Sequence, residues 1–280
     1  MNALEIRGLT KAYQGFRLGG LDLTLPSGCI MGLIGENGAG KSTTIKLILD
    51  MISKDGGSVK ILGRDSAGDT VLVREDVGVV MDEVGIPECL TVSQIGKVMK
   101  NIFRNWDEAA YDQLVTRFSL PNEKQFKDFS RGMKMKTGIA IALSHDAKLL
   151  LLDEATSGLD PVVRDEVVDL LSEFTREENH SILISSHIVS DLEKLCDYVA
   201  FLHKGKLMLC EEKDLLLSEY GVVHCTAEQL NGIPENAVKH KKESPYGVEA
   251  LVLRNDVPAG IDISPVSIEE LFVYMVKEAK

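Results

Sequence analysis

The chain reads Gly-Glu-Asn-Gly-Ala-Gly-Lys-Ser at residues 35–42, a segment that fits the pattern G-x-x-x-x-G-K-[ST]. The run before it, residues 29–34, is nearly all apolar, which is typical of a strand buried on both faces of a parallel sheet. The residues after it, 43–49, are typical of a helix. We therefore predict a strand, a glycine-rich loop and a helix in that order, which is the local architecture that phosphate binding requires.

The loop has the chemistry to bind the phosphates of a nucleotide. Glycine allows positive φ and lets the backbone approach phosphate oxygens closely, and successive N–H groups at a helix N-terminus attract anions. We expect Lys41 to reach the β- and γ-phosphates and the Ser42 hydroxyl to bind Mg²⁺. The rest of the expected phosphate cradle is Gly35, Asn37, Gly38, Ala39, Gly40 and Thr43. The competing interpretation is a tight structural turn with a solvated lysine, which the flanking strand and helix disfavour.

A second apolar run, residues 149–152, ends in two carboxylates. Asp153, at the predicted strand end, is placed to hold Mg²⁺ through water. Glu154, one residue further on, can accept a proton from a water that attacks the γ-phosphate. An Asp-Glu pair alone is more often the start of a helix, but the phosphate loop upstream favours a catalytic role. We therefore predict Glu154 and Lys41 as catalytic residues.

The pattern of apolar residues changes along the chain. Residues 91–143 show helical periodicity, with a predicted N-cap at Asp107 and a break at Pro121. On either side of this block strands and helices alternate, which favours a largely parallel sheet. The predicted elements after the block are a strand at 149–152, a helix at 161–175, a strand at 181–185, a helix at 188–195 and a strand at 199–202. From residue 221 onward the pattern predicts a small α/β appendage.

Composition narrows the class of protein. The chain has 280 residues, 44% of them hydrophobic, and a formal net charge of −12. That hydrophobic content excludes a disordered chain, and the acidic balance argues against nucleic acid as a partner. The sequence has no run of about 20 apolar residues that could cross a membrane. The five cysteines are scattered and odd in number, which predicts free thiols in a reducing, cytoplasmic setting.

Three further segments resemble motifs of the ABC ATPase family, in the order and spacing of that family. Residues 129–133 (Phe-Ser-Arg-Gly-Met) are similar to its signature loop, residues 157–160 (Ser-Gly-Leu-Asp) to its D-loop, and His187 to its switch histidine. The resemblance covers about residues 1–220. It implies an α/β P-loop NTPase fold with a RecA-like parallel core, N-terminal antiparallel strands and a helical subdomain inserted at about residues 88–145. For residues 221–280, the appendage, we expect a dimerisation or regulatory role.

The resemblance also implies roles for individual residues. Ser130 and Gly132 would open a helix whose N-terminus faces ATP held by another subunit, and Asp160 would bind nucleotide with them. Complete sites would then need a head-to-tail dimer. His187 would contact the γ-phosphate and hold the attacking water together with Glu154.

Two positions are open to more than one interpretation. Tyr13 resembles the aromatic residue that stacks on adenine, but it can equally belong to the core, and Phe16 is close by. Asp82 stands where many family members have a glutamine, so we expect it either to bind Mg²⁺ or to be a solvated loop acid. Our hypothesis is that Asp82 couples Mg-ATP to the helical subdomain. Arg131 and Met133 also depart from the signature pattern, but they leave the serine hydroxyl and the glycine amide in place.

A narrower resemblance, carried by residues 105–107 (Asn-Trp-Asp) and 130–134, is to the ATPase subunits of bacterial ABC-2-type exporters. It implies ATP and Mg²⁺ as ligands, a second ATPase subunit (identical or different) and a separate membrane-spanning permease. The chain would then be cytoplasmic and would lie on the inner face of the cell membrane through that permease. One alternative is an ABC ATPase of a soluble machine, such as iron–sulfur cluster assembly. The other is a nucleotide-binding regulator without turnover.

Overall fold

The computed structural model describes residues 1–66, 74–245 and 247–278. Its strands are β1 (Asn2–Tyr13), β2 (Phe16–Pro26), β3 (Ile30–Gly35), β4 (Gly56–Ile61), β5 (Arg64–Asp65), β6 (Val77–Val80), β7 (Leu149–Asp153), β8 (Ser181–Ser186), β9 (Tyr198–His203), β10 (Lys206–Glu212), β11 (Tyr220–Cys225), β12 (Val238–Ser244) and β13 (Gly247–Leu253). Its helices are α1 (Lys41–Ile48), α2 (Val92–Ile102), α3 (Glu108–Arg117), α4 (Arg131–Ala142), α5 (Pro161–Phe174), α6 (Val189–Leu195), α7 (Lys213–Glu219), α8 (Ala227–Leu230) and α9 (Ile268–Glu278). None of the helices in these ranges is long and apolar enough to cross a bilayer.

A mainly parallel sheet with the strand order β10-β9-β3-β8-β7-β6 lies at the centre of the fold. The edge strand β10 is antiparallel to β9, and the other neighbours pair in parallel. Strands β3, β7 and β8 are buried along their whole length. For β3 the apolar run at residues 29–34 predicted this burial. Because parallel strands end at the same edge of a sheet, the loops that follow these three strands lie together. Ile34 is level with Ser186, and Asp153 with Ser185, so this edge gathers the candidate site.

The N-terminal strands form a separate antiparallel sheet of order β2-β1-β4-β5. Its apolar face shares a hydrophobic cluster with the central sheet and with helix α1. Leu4 and Leu9 of β1 lie in that cluster with Met31 and Leu33 of β3 and with Ile45 of α1. The predicted arrangement of antiparallel N-terminal strands beside a parallel core is confirmed, and it places β2 beside the loop that precedes α1.

Helices α2, α3 and α4 are inserted between β6 and β7, which are neighbours in the central sheet. Helix α2 begins with reciprocal hydrogen bonds between Thr91 and Gln94. Helix α3 begins at the predicted N-cap Asp107, whose carboxylate accepts a hydrogen bond from the Ala110 N–H at 2.9 Å. The insertion therefore leaves and re-enters the sheet at adjacent strands, and its last helix, α4, starts near the edge that carries the candidate site.

The residues after 220 form an extension of the main core rather than a free-standing unit. Strands β11, β13 and β12 make an antiparallel sheet, and α9 packs against helix α6. Leu271 and Tyr274 of α9 are buried in the same hydrophobic cluster as Leu192 of α6 and Phe201 of β9. The ring of Phe201 also meets that of Phe272 edge-on, with centroids 5.3 Å apart. The sequence predicted the appendage, but it did not predict that α9 shares a hydrophobic core with the main sheet. The pattern of apolar residues in a helix does not indicate which surface the helix will cover.

Helix α9 is therefore predicted to stabilise the whole fold. Leu271 has no exposed surface, whereas Val273 on the same helix is 40% exposed. We expect Leu271→Ala to lower the free energy of unfolding by about 2–5 kcal/mol, because it leaves a cavity in the shared core. The matched control Val273→Ala should change it by less than about 0.5 kcal/mol. Urea denaturation followed by circular dichroism measures both, and equal small effects would show that α9 does not belong to the main core.

Candidate active site

The glycine-rich loop joins β3 to α1 in the predicted way, and two of its glycines have a backbone that other residues rarely adopt. Gly38 has φ of +81° and Gly40, the N-cap of α1, has φ of +111°. A Cβ at residue 40 would lie 2.9 Å from Cζ of Phe16. The loop can therefore keep this shape only with glycine at these positions.

A cavity of about 630 Å³ lies over this loop. It collects predicted residues from four separate parts of the chain: the loop, the segment after β6, the end of β7 and the end of β8. The predicted site residues that line it are Asn37, Gly38, Gly40, Lys41, Ser42, Thr43, Asp82, Glu154 and His187. Gly35 and Ala39 lie behind the loop, since the carbonyl of Gly35 receives the lysine and the Ala39 side chain is buried.

Lys41 is a buried cation at the floor of the cavity. Its side chain is only 5% exposed, and its Nζ donates to the Gly35 carbonyl at 2.7 Å and lies 3.3 Å from Oε1 of Glu154. A buried charge is tolerated only when it is paired and hydrogen-bonded. The glutamate thus holds the lysine in the position where the helix N-terminus and the loop amides also attract an anion.

Glu154 is the residue on which three elements converge. Its φ of +54° is in the left-handed region, which non-glycine residues adopt at a cost in free energy. The backbone N–H donates to the Ser185 carbonyl at 3.1 Å, which fixes this turn against β8. With one carboxylate oxygen against Lys41, the other, Oε2, lies 2.6 Å from Nδ1 of His187. The strained backbone at residue 154 therefore presents the carboxylate to a lysine and a histidine at once.

Asp153, the last residue of β7, is not among the residues that line the cavity, and it is 1% exposed. Its Oδ1 accepts a hydrogen bond of 2.6 Å from the Ser185 hydroxyl, a partner that sequence reasoning missed. The described residues hold no cluster of three or more His, Cys, Asp or Glu side chains that could bind a metal. Mg²⁺ usually takes one or two protein carboxylates together with phosphate oxygens. Asp153 and Ser42 therefore fit a Mg²⁺ ion that arrives with a nucleotide.

Asp82 has a partner that neither of its predicted roles included. It follows β6, and its carboxylate accepts a hydrogen bond from the guanidinium of Arg131, the first residue of α4. Both side chains are about half exposed, and both line the cavity. This contact ties the end of the central sheet to the helical insertion. A signal was present in the sequence, because Asp82 and Arg131 are two departures from the family pattern with opposite charge.

The remaining predicted residues are not gathered into this cavity. Ser130 caps α4 by accepting from the Met133 N–H at 3.3 Å, and Gly132 lies one residue inside the helix. Asp160 caps α5 in the same way. Tyr13, at the end of β1, is 47% exposed and does not line the cavity among the described residues, whereas Phe16 does. Ser157 is a further lining residue that carried no prediction of its own.

Comparison with known proteins identifies the family. A profile of the ABC transporter family matches residues 18–157, half of the chain. The lantibiotic transport ATP-binding protein SrtF of Streptococcus pyogenes is 36% identical over 218 residues, which are 75% of this chain and 91% of that protein. The bacitracin transport ATP-binding protein BcrA of Bacillus licheniformis is 36% identical over 73% of this chain and 68% of its own length.

Solved structures agree with the fold. The ATP-binding subunit of an ABC transporter matches with a TM-score of 0.70 and 28% identity, over 76% of this chain and 91% of that one. A dimeric ATP-binding cassette bound to ADP and Pi has the same fold, with a TM-score of 0.68 over 75% of this chain and 98% of that one, at 19% identity. The chain therefore belongs to the ABC transporter family, as an ATP-binding subunit with the P-loop ATPase fold.

Proposed function

We propose that this subunit hydrolyses ATP in the cavity over the glycine-rich loop, with Glu154 as the general base. The observation that carries the proposal is the position of the Glu154 carboxylate, which lies between Lys41 Nζ and His187 Nδ1 at the wall of that cavity. A general base must lie within reach of the reacting water and be oriented by its neighbours. The neighbouring loop amides and the N-terminus of α1 supply the anion site that phosphates need.

Binding of ATP would change the partners of Lys41. The triphosphate carries more negative charge than one carboxylate, so it competes with Glu154 for the lysine. Once Lys41 turns to the phosphates, Oε1 of Glu154 loses its partner and can accept a proton, while His187 keeps the carboxylate oriented through Nδ1. Asp153 and Ser42 would hold Mg²⁺, which when bound neutralises charge on the β- and γ-phosphate oxygens.

A second ATPase subunit would complete the site. Ser130, Gly132 and Asp160 lie at helix N-termini outside the cavity of their own chain. Their N–H groups and helix dipoles suit an anion. We propose that they face the nucleotide of a partner subunit, identical or different, in a head-to-tail dimer.

We further propose that hydrolysis drives export through a separate membrane-spanning subunit, which holds this chain at the cytoplasmic face of the membrane. The relatives described above transport lantibiotics and bacitracin by name, and a further one, 31% identical over 74% of this chain, is the daunorubicin/doxorubicin resistance ATP-binding protein DrrA of Streptomyces peucetius. The names of these relatives thus refer to transport of, or resistance to, such compounds. This chain would power such transport, and the membrane subunit would select the substrate.

Glu154→Gln should bind ATP but release phosphate at least about a hundredfold more slowly, because the amide cannot accept the proton. The ATP-bound dimer should accumulate. Phosphate release and size-exclusion chromatography with ATP measure the two effects. Glu177 is an exposed acid that does not line the cavity, so Glu177→Gln serves as control. Turnover close to that of the control would mean that another group is the base.

Lys41→Ala should weaken ATP binding by about 10- to 100-fold, since a charge-assisted hydrogen bond to phosphate is lost. Lys46 is exposed on the same helix, and Lys46→Ala should bind ATP as the unmodified chain does. Isothermal titration calorimetry measures the ATP affinity of both variants. Equal affinities for the two would contradict the assignment of the glycine-rich loop as the phosphate site.

The proposed membrane partner can be tested on the exposed face of the helical insertion. Ile102, at the end of α2, is 57% exposed. Purified in mild detergent from the cells that produce it, the chain should bring down a membrane protein with several spans, and Ile102→Asp should reduce its recovery several-fold. Met51 is 60% exposed away from the insertion, so Met51→Asp is the matched control. Recovery of no such protein with the unmodified chain would contradict the transport proposal.

A further inference from the structure

Arg131 occupies an unexpected place for the first residue of helix α4. Its neighbours Ser130 and Gly132 stay outside the cavity, but the Arg131 side chain lines it together with Lys41 and the loop amides of the same chain. Among the described residues that line this cavity, Lys41 and Arg131 are the lysine and arginine side chains. The lysine and the arginine of the site therefore come from two separate elements, the start of α1 and the start of α4.

The side chain of Arg131 packs against the segment after β7. Gly158 has φ of +77°, and a Cβ at that residue would lie 3.2 Å from Cδ of Arg131. A glycine here leaves room for the arginine stem to lie across the turn. The stem is thus directed into the cavity, where its guanidinium meets Asp82.

Each of the two cations forms an ion pair with a carboxylate, but the two ion pairs differ in their exposure to water. Lys41 pairs with Glu154, and both are nearly buried, at 5% and 12% exposed. Arg131 pairs with Asp82, and their side chains are 55% and 46% exposed. Exposed ion pairs contribute little because water screens them, so an arriving polyphosphate can displace Asp82 at small cost. The planar guanidinium also matches phosphate oxygens with two parallel hydrogen bonds.

We propose that Arg131 binds the phosphates of the nucleotide held by its own subunit, and that Asp82 is the counter-ion that holds the arginine in place until the nucleotide arrives. The proposal rests on the proposed function, because it needs the nucleotide in this cavity. Arg131 leaves Asp82 when the phosphates bind, and the start of α4 is thereby coupled to the occupancy of the site. Asp82 is then a positioning residue for the arginine.

A double-mutant cycle on nucleotide affinity tests this. ATP binding is measured by calorimetry in EDTA, at protein concentrations where sedimentation velocity shows monomers, for the unmodified chain, Arg131→Gln, Asp82→Asn and the double variant. We expect Arg131→Gln to weaken ATP binding about three- to tenfold and Asp82→Asn to strengthen it about two- to fivefold. Arg131→Gln should reduce ATP affinity by a larger factor in the Asp82→Asn background, because there the arginine does not have to break an ion pair before it binds phosphate. The extra cost, about two- to fivefold, is the strength of the ion pair.

Two comparisons separate phosphate binding from a structural effect. AMP has one phosphate, so Arg131→Gln should change its affinity less than that of ATP, whereas a distorted cavity would weaken both alike. Arg117 is a similarly exposed arginine that pairs with Glu166 outside the cavity, and Arg117→Gln should leave ATP affinity unchanged. Arg131→Lys, which keeps the charge but not the planar fork, should fall between the unmodified chain and Arg131→Gln.

Two results would overturn the proposal. One is monomer ATP affinity that depends on Lys41 but not on Arg131. The other is an effect of Arg131→Gln that appears only when ATP-bound dimers form, since the arginine would then serve the partner's nucleotide. If Lys41→Ala binds ATP as tightly as the unmodified chain, the proposed function itself fails, and this outcome is distinct from both.

Discussion

The ion pair between Lys41 and Glu154 is the interaction on which the site depends. It joins the start of α1 to the turn after β7, across the intervening strand β8. Both side chains are almost completely removed from water. A pair of this kind is stable only where further hydrogen bonds satisfy both groups. Here the Gly35 carbonyl receives the lysine, and His187 contacts the second carboxylate oxygen. The parallel sheet matters because it alone brings these loops to one edge.

In the proposed function, the same pair keeps the general base, Glu154, next to a cation that binds the phosphates. Before nucleotide binds, each cation on the cavity wall is neutralised by a carboxylate of the same chain: Lys41 by Glu154, and Arg131 by Asp82. We propose that phosphates compete for both cations and that their arrival frees both carboxylates. Glu154 directly follows strand β7, and Asp82 contacts the helical insertion. In this proposal, one exchange of charge partners links nucleotide binding to the chemistry at Glu154 and to the position of α4.

The sequence alone predicted the parts whose physics is local. The buried runs at β3 and β7, the glycines at 38 and 40 and the cap at Asp107 each follow from a short pattern, and the structure has them at the expected places. Strand β12 has no such signal in the sequence, because its residues, Val-Lys-His-Lys-Lys-Glu-Ser, lack an apolar alternation. An edge strand is held mainly by backbone hydrogen bonds and needs no such pattern.

Contacts between distant segments were also beyond the reach of sequence patterns. The hydrogen bond from Ser185 to Asp153 joins residues 32 apart, and the one from Arg131 to Asp82 joins residues 49 apart. Both depend on the register and packing of the sheet and the insertion. The burial of α9 against Phe201 is of the same kind. Where a motif is common to the family, the resemblance predicted which residues would meet at the cavity. Where this chain departs from the family pattern, as at Asp82 and Arg131, the resemblance predicted no contact.

The central claim is that ATP is hydrolysed in this cavity and that a second chain completes the active site. Phosphate release measured across the range of concentrations in which sedimentation shows monomers becoming dimers tests the claim most directly. The account predicts Mg²⁺-dependent release whose rate per chain rises as dimers form, and no release in EDTA. A rate per chain that is the same for monomers and dimers, or ATP recovered intact in Mg²⁺ at every concentration, would contradict it.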